Sequence, residues 1–254
     1  MLRFPLRITA DITKALLARI LHQARHDSSV QFVDAAEILH HDSNHPVSHE
    51  KIREIVSSRS PVVWIGGSEP LHHPGVAHLV RAVTGSGHFV FLETDGTLLR
   101  RRIHEFQPVP RLFLTVRLDP GAPLDAPKSL RPSPSELAAE GIRTARLSGF
   151  FLCVHMRVHA EAELGEIAEL IRVSRSVDVD GIVITPATGG TNDAAVQSKT
   201  AEARKMIGST WWELFSRFVE PVVSRERNAA QTVDETGHRV EQEARVNEEG
   251  VKVA

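Results

Sequence analysis

Cysteine is almost missing from this chain: Cys153 is the only one in 254 residues. A lone thiol excludes an internal disulfide framework and any metal site built wholly from cysteines. It fits a reducing compartment, so a cytoplasmic location is the expectation. Long apolar runs are missing too, and without a stretch of roughly 20 apolar residues no transmembrane segment is expected. The opening MLRFPLRITADITKALLARIL has neither a continuous apolar core nor a small-residue cleavage site, so it is not expected to act as a secretory signal. Neither sign of charge is in excess, the formal net charge being −2. With no basic surplus, no nucleic-acid partner is expected, and no basic amphipathic segment points to an anionic membrane.

What is present is a repeated alternation of short apolar runs and helix-period segments. The runs are SVQFVD (29–34), PVVWIGG (61–67), HFVFLET (88–94), RLFLTVRLD (111–119), FFLCVHMRV (150–158) and DGIVITP (180–186). Each is rich in Val, Ile, Leu or Phe and bounded by Gly, Pro, Asp or Ser, which predicts six strands. Between them lie helical segments: SHEKIREIVSS with a start signal in Ser48, PGVAHLVRAVTG with Gly85 as its stop, TLLRRRIHEF, SPSELAAEGIRTARL and AELGEIAELIRVSRSV. Strand and helix in such alternation imply right-handed parallel crossovers, hence a βα barrel or a doubly wound sheet. Six units in place of eight predict an α/β fold of the partial (βα)6, TIM-like kind. An amphipathic helix is expected over Asp11–His22, docked on the barrel. A long helix over Thr200–Phe218 is expected to close the fold, with Trp211, Trp212, Phe215 and Phe218 along one packing face. The charged segment from about Arg225 is expected to be a mobile tail. The resulting division is a leader over 1–28, the barrel over 29–222 and the tail over 223–254.

Functional groups in parallel βα folds gather beyond the carboxyl ends of the strands. The second strand ends in Gly66-Gly67-Ser68-Glu69-Pro70, the third in Glu93-Thr94-Asp95-Gly96, the fourth in Arg117-Leu118-Asp119 and the sixth in Thr185-Pro186. Along the fifth strand Leu152, Val154, Met156 and Val158 alternate with Cys153, His155, Arg157 and His159. Period-two alternation sends the apolar set under the helices and the polar set into the barrel. Two outcomes fit: a ligand-holding lumen, or a polar interior satisfied by its own pairs, with Arg117 or Arg157 on Asp119, Glu93 or Glu69. The candidate mouth is therefore Gly66, Gly67, Glu69, Pro70, Glu93, Asp95, Arg117, Asp119, His155 and Arg157, suited to a small anionic ligand.

The order of these motifs resembles the radical S-adenosylmethionine superfamily. VVWIGGSEPLHHPGVAHLV resembles its GGEP segment, with Ser68 inserted between Gly67 and Glu69. FLETDGTLL resembles its third-strand Thr-Asn-Gly-Thr segment with Asp95 at the Asn position, and LFLTVRLDP its fourth-strand segment with Arg117 for the usual Ser. The opening FPLRITADITKALLARIL is similar to the leader helix of some members, so the resemblance spans about Phe4–Pro186. It implies a barrel of the radical S-adenosylmethionine type, with Gly66, Gly67, Glu69 and Pro70 at the position that contacts the methionine part of S-adenosylmethionine.

The chain departs from the family at its defining feature. After the first strand the family carries a CxxxCxxC loop whose thiolates hold a [4Fe–4S] cluster. Here the strand runs into AAEILHHDSNHPVSH, without cysteine. His40, His41, His45 and His49 stand there instead, in a spacing that matches no standard zinc pattern. Three readings of function follow. The first is a degenerate member without chemistry, a binding, scaffold or regulatory protein, with an active radical enzyme or another protein as the expected partner. The second is a cluster-independent enzyme using Glu69, Glu93, Asp119, Arg117 and His155 for acid–base work on a small anion. The third is a metal-dependent hydrolase built on the histidine loop.

Overall fold

Six short runs rich in Val, Ile, Leu and Phe become six parallel strands, because branched and aromatic side chains pack well on a pleated surface. The computed structural model describes residues 9–10, 13, 30–38, 47–120, 134–187 and 194–224. The elements are β1 (Val30–Asp34), α1 (Ala35–Ile38), α2 (His49–Val56), β2 (Val62–Gly66), α3 (Val76–Gly85), β3 (Phe89–Thr94), α4 (Leu99–Arg102), β4 (Leu112–Arg117), α5 (Pro134–Leu147), β5 (Phe151–Val158), α6 (Leu164–Ser176), β6 (Gly181–Pro186), α7 (Ala194–Met206) and α8 (210–224). Single 3-10 turns lie over Pro70–His72 and Ile103–Glu105. The strands pair in sequence order, all parallel, in one curled half-barrel sheet. Every predicted strand is found within two residues of its expected ends.

The helices pack on the convex face through Leu79, Val83, Ile142, Ile167 and Ile171, against Ile65, Leu92, Leu114, Val154 and Ile182, all buried. The concave face is different. Strand register brings Phe32, Trp64, Phe91, Phe113 and Phe151 into one row. Trp64 stacks on Phe91 at 5.3 Å between centroids, Phe91 on Phe113 at 4.6 Å, and Phe151 follows at 5.4 Å. This aromatic row floors the half-barrel, and aromatic pairs of this kind add to the burial term.

The open sheet ends in two edge strands, β1 and β6, and α8 covers the β6 side. Phe215 meets Phe91 at 4.8 Å, and Trp212 lies over Gly181, where a Cβ would overlap the indole ring. The unpaired edge of β6 is capped by side chains: Ile184 N donates to Ser216 Oγ at 3.1 Å, and Arg204 Nε donates to Ile184 O at 2.9 Å. Arg204 also pairs with Glu220 at 2.6 Å, joining α7 to α8. An edge covered in this way cannot template pairing with another chain.

Several expectations are corrected. The helix over Thr200–Phe218 is two helices, because Gly208 takes φ +59°, a left-handed conformation that only glycine adopts at little cost. Trp211 does not share the packing face: Trp212, Phe215 and Phe218 are buried while Trp211 is 46% exposed. By contrast α3 ends on Gly85, as expected, and Gly87, at φ +105°, makes the turn that follows. Ser48 occupies the N-cap of α2, but its hydroxyl makes no capping hydrogen bond. TLLRRRIHEF forms only one α turn and one 3-10 turn. The leader helix lies outside the described residues except Thr9, Ala10 and Thr13, which are helical, and the tail from Arg225 lies wholly outside them. Among the described residues no helix is long and apolar enough to cross a membrane.

Candidate functional site

Above the aromatic floor the concave face turns polar, and register sets the rows. Glu93, Thr115, Cys153 and Gly181 stand abreast on β3 to β6; Arg117, His155 and Val183 form the next row; Arg157 and Thr185 the next. Burial falls with height: Cys153 and His155 are fully buried, whereas Arg157 and His159 are half-buried at the mouth. Cys153 points inward as its alternation predicts.

Glu93 is the hub of the interior and is 1% exposed. Its Oε2 accepts a hydrogen bond from Trp64 Nε1 at 2.8 Å, and its Oε1 faces His155 Nδ1 at 3.2 Å. His155 Nε2 lies 2.9 Å from Thr185 Oγ1. The Arg117 guanidinium approaches Glu93 Oε1 only to 3.9 Å. Gly66 makes room for this carboxylate, since a Cβ there would stand 2.8 Å from Glu93 Oε2. A carboxylate, an imidazole and a hydroxyl thus form a chain across β3, β5 and β6. A neutral imidazole that donates from Nδ1 to Glu93 presents Nε2 as acceptor for the Thr185 hydroxyl.

Glu69 ties two strand ends together. Its carboxylate accepts from Leu71 N at 3.0 Å, Thr94 Oγ1 at 2.7 Å and Asp95 N at 2.7 Å. Burial pushes the Glu69 carboxyl above its ordinary value, against the opposing pull of the Asp95 and Thr94 hydrogen bonds. Pro70 opens the 3-10 turn that Glu69 caps. Gly67 stands against the Asp34 carboxylate, which itself caps α1 through Ala36 N at 2.8 Å. Asp95 Oδ1 accepts from Thr97 N at 2.8 Å and Thr97 Oγ1 at 2.7 Å. At the rim, Arg157 holds Asp119 through two parallel bonds, Nε to Oδ1 at 2.9 Å and a second from the terminal nitrogen to Oδ2. Burial raises the Asp119 carboxyl, but the Arg157 hydrogen bond and charge outweigh it and hold the group below its ordinary value.

Of the predicted site residues, Gly66, Glu93, Arg117 and His155 meet in one cluster, Gly67, Glu69, Pro70 and Asp95 in a second, and Asp119 with Arg157 in a third. Arg157 pairs with Asp119 and Arg117 leans on Glu93, as the self-paired reading expects. Trp64 and Thr185 complete the first cluster and are absent from the sequence-based set. Their parity places both on the concave face, which is the signal that finds them. Thr115 Oγ1, fully buried between Glu93 and Cys153, has no hydrogen-bond partner among the described residues.

The Cys153 thiol is pushed well above its ordinary value by burial, with the Asp180 charge second. A thiol so placed is a poor nucleophile and a poor metal ligand. Of the loop histidines, His40, His41 and His45 lie outside the described residues, and His49 is exposed at the start of α2. Among the described residues no cluster of His, Cys, Asp or Glu is suited to a metal ion. The chain matches neither any family model nor any curated protein with which it was compared.

Proposed function

We propose that this chain is a half-barrel of the radical S-adenosylmethionine type that keeps the scaffold without the radical chemistry, and that it works as a binding, scaffold or regulatory protein. The observation that carries this reading is the state of its one thiol: Cys153 is buried in β5, flanked in the sheet by Thr115 of β4 and Gly181 of β6. The residues present do not fit a [4Fe–4S] cluster, which takes several thiolates on one exposed loop. Nor is the GGSEP turn open in the way a cofactor-binding turn requires. The Glu69 carboxylate already serves three donors, and the space beside Gly66 and Gly67 belongs to Glu93 and Asp34.

The partner this reading proposes is an active radical enzyme. Mixing the two purified proteins and following them by size-exclusion chromatography with light scattering tests the idea. Co-elution at fixed stoichiometry supports it, and separate elution at concentrations well above micromolar contradicts it.

One observation favours the cluster-independent enzyme instead: the Thr185–His155–Glu93 chain has the hydroxyl–imidazole–carboxylate order of a nucleophile and its base. Its burial weighs against that, since Thr185 is 1% exposed. Metal-free turnover of a small anionic ester, lost in Thr185→Val, would carry the second reading over the first.

A further inference from the structure

A second concavity lies at the opposite end of the sheet from the mouth. Between α3 and the segment that leads from the second 3-10 turn into β4 there is a groove of about 320 Å³. Its floor is apolar, from Val80, Phe106 and Leu112, all buried, with Ala77 and Val109 beside them. This volume lies at the lower end of the range for small-molecule sites. It lies at the amino end of β4 and shares no residue with the polar cluster described above.

The rim is cationic. Arg81 is exposed, and its guanidinium makes no hydrogen bond or ion pair among the described residues. Arg111 lies over the Phe89 ring at 5.0 Å and donates to Gly87 O from one terminal nitrogen, which leaves its other donors free. Glu105, the one acid on the rim, is already held by Arg102, with Nε to Oε1 at 2.7 Å and a second bond to Oε2. Thr84 turns its hydroxyl onto the helix backbone, to Val80 O at 2.8 Å. The groove therefore offers an apolar bed, two guanidinium groups with donors to spare, and no unpaired carboxylate.

We infer that this groove binds a small amphiphilic monoanion, a carboxylate carried on an aromatic or medium-chain aliphatic body, with the body on Val80, Phe106 and Leu112 and the carboxylate between Arg81 and Arg111. Charge complementarity selects the head group and the dry floor selects the body.

The test uses 1-naphthoate as probe on the full chain, followed by methyl NMR, with 1-naphthalenemethanol as the uncharged comparison. The expected result is saturable, one-to-one shifts at Val80, Val109 and Leu112, with the alcohol binding at least roughly tenfold more weakly. Arg81→Gln and Arg111→Gln should each weaken naphthoate by roughly three- to tenfold and leave the alcohol unchanged. Gly85→Trp adds a bulky side chain to the groove lining, at a position where a Cβ meets nothing within 4 Å, and Leu112→Ala removes part of the floor; the two together should abolish binding of both probes. Equal affinity for acid and alcohol, shifts scattered over the surface, or full binding in the Gly85→Trp, Leu112→Ala double variant would each overturn the inference. None of these outcomes bears on the scaffold reading, which rests on the other end of the barrel.

Discussion

Glu93 and His155, 62 residues apart in sequence, meet at 3.2 Å in the sealed interior of the half-barrel, and the Trp64 indole donates to the other oxygen of the same carboxylate. The acid therefore serves donors from two other strands at once. A buried hub of this kind stabilises when complete and is costly when broken, since each orphaned polar group keeps its full desolvation penalty.

Glu93→Ala should accordingly destabilise the fold by about 2–5 kcal/mol, because it strands both Trp64 Nε1 and His155 Nδ1. Glu93→Gln keeps the shape and one acceptor and should cost less. Urea unfolding followed by tryptophan fluorescence measures both. A change below about 0.5 kcal/mol in the alanine variant would show that the hub does not hold the interior together.

Gly181 and Trp212 make a second dependence. Gly181→Ala drives a Cβ into the indole, an overpacking expected to cost about 1–3 kcal/mol. Trp212→Ala opens a cavity expected to cost about 3–5 kcal/mol. The double variant should be more stable than the two costs added together, since the alanine at 181 then occupies space the ring has left. Thermal or urea unfolding of the four proteins tests this, and strict additivity would mean that α8 does not lie on β6.

The strands were legible because branched and aromatic runs are punctuated by Gly, Pro and Asp, and the inward set Cys153, His155 and Arg157 because strand parity alone decides it. Partner choice was legible only in part: Arg157 with Asp119 and Arg117 with Glu93 stood among the expected pairs, and the remaining partners did not. Glu93 takes Trp64 and His155, and Glu69 takes Thr94, because register sets β2 beside β3 and β5 one strand further on, across β4, and nothing local to Glu93 or Glu69 carries that information. The break at Gly208 was hidden for a different reason. A single glycine in a helix-period segment costs only about 1 kcal/mol, so periodicity runs through it until packing of Trp212 and Phe215 bends the chain.

The Asp119–Arg157 pair carries a pH dependence of known sign. Its folded carboxyl is held below the unfolded value, so the stabilisation is fully present above the unfolded value and is lost as pH falls through the folded one, a window below about pH 4. The stability difference between wild type and Asp119→Asn should be constant from about pH 7 to pH 5 and shrink toward zero on further acidification. A difference that grows with acid would mean that the pair does not form.

Cys153 should be inert in the native state. Burial suppresses its thiolate and excludes reagents, so native protein should react with a disulfide-exchange reagent only as fast as it unfolds, and urea-denatured protein at once, with one thiol per chain. Fast native reaction would place the thiol at the surface and reopen the question of metal ligation.

The most direct test of the scaffold account is anaerobic reconstitution with iron and sulfide, wild type beside Cys153→Ala, followed by iron analysis and an assay for reductive cleavage of S-adenosylmethionine. The account predicts a colourless protein in both cases, without stoichiometric iron and without cleavage, because one buried thiol cannot supply a cluster. About four irons per wild-type chain, accompanied by cleavage, would contradict it.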